Sequence, residues 1–228
     1  MPTPNVMSWD EAAKRFFEMG VSKGVIYTKT SDSSTAFDKA EPWNGLINVT
    51  ESPSGADATK LWADGIEYAN MRAAEEYGGS IEAYTYPDSF AECDGSAQLA
   101  DGLTIYQQER KPFCLCWRSE VQNAEGLKAY KLHIAYNLTV SPSERSYDTV
   151  NDSPDAKTMS WDFEGTPVTV TGMKPTCAIE LDSRNVPEGK MTLIEKKLYG
   201  DSTAATGGDA TCLTPDQIKA IINGSPST

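Results

Sequence analysis

Apolar residues recur along this chain mostly with period two. Val21, Val25, Ile26 and Tyr27 predict a strand over 21–28, and Leu46 to Thr50 predicts another. Residues 60–64 and 66–71 flank Asp64-Gly65, a hairpin signal. Ile81 to Tyr86 alternates again. Further strands are predicted over 103–108, 113–121, 127–140, 157–164, 167–171, 176–182 and 190–198, the last after a Pro187-Glu188-Gly189 turn. In the longest, Tyr130, Leu132, Ile134, Tyr136 and Leu138 share one predicted face, with His133 on the other.

Helical signals are few. Ser8 and Glu11 have capping-box spacing ahead of Ala12, Ala13, Lys14 and Arg15, which predicts a short helix or turn over 9–18 ended by Gly20. Pro87 suits the first position of one helical turn before Asp94-Gly95. Thr214-Pro215-Asp216-Gln217 gives a cap, a proline and a returning glutamine. Ile218, Ile221 and Ile222 then form an apolar stripe, so a helix is predicted over 214–223.

Two stretches, 29–42 and 141–156, are polar and aperiodic and read as long exposed loops, with a Trp43-Asn44-Gly45 turn after the first. Residues 200–211 read as a flexible linker. A strand every 8–12 residues with few helices makes the chain mainly β: a sandwich or barrel with small helical additions. The expected division is a β domain over 1–200, with an N-terminal arm at 1–20, and a linker with its helix over 201–228.

Composition narrows the function. The chain has 228 residues, 39 % of them hydrophobic, and a formal net charge of −13. That balance disfavours a grip on nucleic-acid phosphates or anionic lipid. No window approaches 18 consecutive apolar residues. The first ten residues lack the basic and apolar regions of a secretory signal, so a cytosolic origin is expected. With that origin, the Asn48 and Asn137 sequons carry little meaning. The five cysteines are odd in number and irregular in spacing. Reduced thiols acting as small apolar residues are expected, with Cys114 and Cys116 on one strand face.

No phosphate loop, dinucleotide fingerprint, zinc-protease motif or serine-hydrolase elbow is present. His133, the only histidine, sits between Leu132 and Ile134 and reads as a paired strand residue. Asp148, Asn151, Asp152 and Asp155 lack EF-hand spacing, and Pro154 interrupts them. No local pattern picks out a pair of catalytic carboxylates. No catalytic residue, cofactor or metal is therefore expected. Trp9 and Trp43 flank polar stretches and are candidates for subunit contacts. The rival reading is a monomeric β-sandwich binding module on a virion or cell surface, for example a glycan binder using Trp43 and Trp62.

Several segments, taken in order, carry a resemblance. They are Gly20 to Tyr27, Trp43-Asn44-Gly45-Leu46 with Glu51 to Ala56, Glu82 to Phe90, and Cys93-Asp94-Gly95. Gln107 to Phe113, Tyr130 to His133, Ser141 to Arg145, Asn151 to Pro154 and Leu213 to Ile218 follow. The set resembles the major tail proteins, or tail tube proteins, of long, non-contractile-tailed phages. It covers about 20–200 and the C-terminal end. Cys114 and Ala129 depart from the pattern, where the family would have glycine.

The resemblance implies a β-sandwich or nearly closed barrel flanked by a short helix. It implies hexameric rings stacked into a tube through which the genome passes, and no catalysis. The partners implied are further copies of the chain together with tape-measure, tail-tip and tail-terminator proteins. The location implied is the virion tail, assembled in the host cytoplasm. Genomic DNA would pass without specific binding. Six copies carry six times −13, or −78, and an acidic lumen would not retain DNA. The candidates for contacts between subunits and rings are Trp9 and Phe17 of the arm, Lys29 and Asp32, Trp43 and Asn44, Glu144, Arg145, Asn151 and Asp152, and Ile218, Ile221 and Ile222.

Overall fold

The computed structural model describes residues 7, 9–31, 34, 36–55, 57–147, 149, 156–203 and 208–224. Ser8, Asp32, Asp148, Asn151, Asp152, Pro154 and Asp155, named above, lie outside the described residues. The strands are β1 Phe16–Thr28, β2 Lys39–Pro42, β3 Leu46–Glu51, β4 Ser54–Gly55, β5 Ala58–Ala63, β6 Ile66–Arg72, β7 Glu75–Glu76 and β8 Gly78–Ala83. They continue with β9 Ala97–Ala100, β10 Leu103–Ile105, β11 Phe113–Asn123, β12 Lys128–Val140, β13 Met159–Gly165 and β14 Ala178–Asp182. The α-helices are α1 Phe90–Cys93, α2 Glu188–Tyr199 and α3 Pro215–Asn223.

The chain is mainly β. One antiparallel sheet runs in the order β2-β1-β11-β12-β13-β8-β3, and β14 also pairs with β12. The sheet curls until β3 returns beside β1. The Trp43 amide carries the β1–β2 ladder one residue further, donating to the Gly24 carbonyl at 2.7 Å. A side chain at Gly24 would press on Leu46 and Trp43, so glycine permits this nearly closed barrel.

Alternation along the strands builds two cores. Phe113, Leu115 and Trp117 point inside with Ile26, Ile81, Trp161 and Phe163. Cys114 and Cys116 point out with Tyr27, Leu132, Ile134 and Tyr136. All five cysteines are free, and Cys93, Cys114, Cys116 and Cys177 are buried. Helices α2 and α3 cover the outer core with Met191, Ile194, Leu198, Ile218 and Ile221.

The edge of β12 away from β11 forks. Residues 131–135 pair with β14, whereas 138–140 pair with β13. At the fork Asn137 has φ 47° and the ladder to β11 shifts register. This bulge turns Leu138 and Val140 into the inner core, although Tyr136 faces out. The single shared face predicted from Tyr130 to Leu138 is thus broken after Tyr136. His133 does face away from Leu132 and Ile134.

Other expectations need correction. Residues 190–198 are not a strand but most of α2. Met191, Ile194 and Leu198 lie on one side of a helix, whereas Lys196 and Lys197 stay in water. As a strand, that pair of lysines would have charged both faces. The helix expected over 9–18 shrinks to a single 3-10 turn, Ala12–Lys14. From Phe16 onward the segment pairs with β11, and Gly20 marks an irregularity inside β1 instead of a helix end. The loop 29–42 is shorter than expected, because Lys39–Pro42 pairs with β1 and Phe37 is buried. Between 167 and 171 only Val168 forms a bridge, to Thr176. The linker is anchored: Asp201 bridges Gly208, and the Thr211 amide donates to the Lys197 carbonyl.

Candidate functional site

Strands β3 and β8 lead out of the barrel into β4 and β7. Their ladder has its base at Leu46–Ala83 and continues through Glu51–Gly79 to Ser54–Glu76. It ends in the hairpin β5–β6, closed by Asp64-Gly65, where Asp64 and Gly65 both have positive φ. Leu61, Trp62, Ile66, Tyr68 and Met71 are exposed on it, Trp62 by 65 % and Tyr68 by 75 %. Among the described residues, none of these five joins either core.

A bulge lets both sides of this prong carry apolar surface. Leu61 opposes Ala69 and Trp62 opposes Glu67, which leaves Tyr68 as the extra residue. Lys60 bonds Glu67 at 2.8 Å and fixes the hairpin near its tip. An isolated two-stranded hairpin is marginal in water, so an uncovered apolar one signals a binding surface.

The sequence-predicted contact residues divide into two groups. Trp9 is exposed ahead of β1 and Phe17 on β1 itself, opposite Gln122, and Asn44 and Glu144 are exposed as well. Lys29 is half-buried, its ammonium 5.2 Å from the centre of the Phe37 ring. Arg145 is committed within the chain: it pairs with the buried Asp94 and lies 4.8 Å from the Tyr106 ring. Trp43 is a correction. It is buried, packed 4.7 Å from Phe90, and its indole N–H donates to the Thr85 carbonyl. The turn after it is polar, but its ring points into the barrel. A glycan platform built from Trp43 and Trp62 is therefore not formed. Ile218 and Ile221 are also buried, and Ile222 packs beside them, so the apolar stripe of α3 is spent on its own barrel.

The hairpin residues other than Trp62 were not singled out from sequence. The available signal was Leu61-Trp62-Ala63, which gives a short strand apolar positions on both faces and no polar side for water.

A polar network sits where β1, β11, β12 and β14 meet. The Ser119 hydroxyl donates to Glu18 Oε1 at 2.6 Å, and His133 Nε2 lies 2.8 Å from the same hydroxyl. With that proton given to Glu18, Nε2 must be the donor toward Ser119. A base-activated serine needs the opposite polarity. Glu18, His133 and Glu180 come within metal-ligand reach of one another. Lys131 already stands between the carboxylates, 2.8 Å from Glu18 and 3.1 Å from Glu180, where a cation would go. Burial pushes the Glu18 carboxyl up, but hydrogen bonds from Lys131 and Ser119 outweigh it and hold the group below its usual range.

Among the described residues, no helix is long and apolar enough to cross a membrane. The chain matches no protein-family model and no curated protein.

Proposed function

We propose that this chain is a structural subunit that assembles with copies of itself into rings stacked as the tail tube of a long-tailed phage. The observation that carries the reading is the prong, whose five large apolar side chains are left uncovered by the chain that bears them. The nearly closed barrel supports it, since a curled sheet with its outer face under two helices makes a rigid building block. The ordered segments that resemble tail tube proteins supply the kind of assembly, hexameric rings around a passage for the genome. Tape-measure, tail-tip and terminator proteins would be its further partners, and the virion tail its location.

The test is negative-stain electron microscopy of the purified chain over a concentration series, with Trp62→Ala in parallel. Rings or hollow tubes that Trp62→Ala weakens are the expected result. Separate particles at every concentration, with and without tail-tip seeds, would overturn the reading.

A further inference from the structure

One arginine of this acidic chain has no acid to itself. The chain carries 33 Asp and Glu against 20 Lys and Arg. Half-buried Arg110 nevertheless has no carboxylate partner among the described residues, and its Nε is buried without a hydrogen-bond acceptor. A guanidinium so placed is costly without a counter-charge. The Arg118 Nε is buried in the same way, but that guanidinium lies 3.8 Å from the centre of the Tyr130 ring. Arg110 instead lies over the turn after α1, where a side chain at Gly95 would come within 3.3 Å of its Cζ. Gly95 has φ 75°, and its carbonyl accepts from the Gln108 backbone amide at 3.0 Å. The residue before it, buried Asp94, pairs with Arg145 from the loop after β12. The two guanidiniums are thus anchored on consecutive residues, and both line a cavity of about 520 Å³.

We propose that this cavity binds a sugar phosphate. Of the charged residues lining it, Arg110 and Arg145 outnumber Asp94, which Arg145 already neutralises. The acids nearby do not cancel that excess. Glu109 and Glu144 are exposed and do not line the cavity, and Glu92 is held by Lys111 at 2.9 Å. Glu92 and Glu109 border a separate cavity of about 280 Å³ instead. Among the described residues the site is therefore net positive on an acidic chain, which favours an anion. A carboxylate has two oxygens and is filled by one guanidinium fork. A phosphate monoester has three terminal oxygens and nearly two charges, so it can meet both arginines. Phosphate alone would leave most of the space over, and cavities of roughly 300–1,000 Å³ take whole small molecules. Tyr106, Gln107 and Ser143 line the rest with hydroxyl and amide groups, which suit the hydroxyls of a sugar. Gln107 is held there at φ 65°, a conformation few residues other than glycine adopt, and such strain gathers at ligand clamps. The site belongs to the single chain and does not depend on assembly.

Isothermal titration calorimetry of the full chain with ribose 5-phosphate, in a phosphate-free buffer, tests this. One saturable site per chain is expected. Ribose without the phosphate should give no binding heat, and inorganic phosphate should bind at least tenfold more weakly than ribose 5-phosphate. Arg110→Gln should weaken ribose 5-phosphate by about tenfold or more. The free Arg110→Gln chain should melt within a degree or two of the parent, because the guanidinium has no partner to lose. That readout separates a binding role from a structural one. Arg145 is left intact, since its loss would strand the buried Asp94. Arg110→Lys keeps the charge without the fork and should recover only part of the affinity. No saturable binding, or equal binding by the parent and Arg110→Gln, would overturn the proposal. Equal affinity for inorganic phosphate and ribose 5-phosphate would overturn the sugar phosphate in favour of a bare anion site.

Discussion

The Tyr136 hydroxyl donates to the Leu213 carbonyl at 2.8 Å, tying the centre of β12 to the residue just ahead of α3. Tyr27 does the same for the Leu198 carbonyl at 2.7 Å. Burial pushes both phenols far up, so they remain donors at any physiological pH. Tyr136→Phe leaves a buried carbonyl without its partner. Its expected cost is about 1–3 kcal/mol in urea unfolding. The raised phenols also set an alkaline limit. Their contribution is complete below pH 10, the unfolded value, and declines as pH rises beyond it.

Helix α3 begins with a full capping box. The Gln217 amide donates to Thr214 Oγ1, and the Thr214 amide donates to Gln217 Oε1. Thr214→Ala removes one half and should cost about 1 kcal/mol. Hydrogen exchange should rise first in 215–223, with the barrel strands unchanged. Exchange that rises equally in both would show that α3 and the barrel open only together.

Trp43 fills the barrel and gives its indole N–H to Thr85. Trp43→Ala should therefore act on stability, by about 3–5 kcal/mol. Trp62→Ala should leave the melting temperature of the monomer within a degree or two. A reversed ranking in differential scanning calorimetry would contradict the burial of Trp43.

Acid should act through Glu18. Its folded pKa lies below the ordinary 4.5, so its contribution is complete above that pH and is lost as pH falls through the lower folded value. Lys131→Met removes the largest lowering influence. Melting temperatures between pH 7 and 3 should fall less steeply in the variant than in the parent on the acid side. At pH 7 the variant should be weaker by at most about 1 kcal/mol, because the pair is partly exposed.

Much of the barrel was legible because its strands carry their own period. The strands near 21–28, 113–121 and 127–140, the Asp64-Gly65 hairpin and the capped C-terminal helix all stand close to where the pattern puts them. The misreadings have local physical causes. At Asn137 one residue with positive φ exchanges inside for outside, and no apolar pattern announces a bulge. In α2 the spacing of Met191, Ile194 and Leu198 was outweighed by a Pro-Glu-Gly triplet that reads as a turn but starts a helix. Trp43 stands beside an Asn-Gly turn, and sequence cannot say that its ring turns inward. The prong was visible as a hairpin. That both its sides would lie bare depends on what the rest of the chain leaves uncovered.

The ladder from Leu46–Ala83 to the tip also has a mechanical consequence. Its hydrogen bonds run across the strands. A pull on both strands toward the tip works against the barrel's lateral pairing of β8 with β13, where rungs from Met159–Ala83 to Glu164–Gly78 share the load together. A sideways pull on β3 alone would peel it from β8 one rung at a time. A load carried through the prong would be resisted along its length far better than across it.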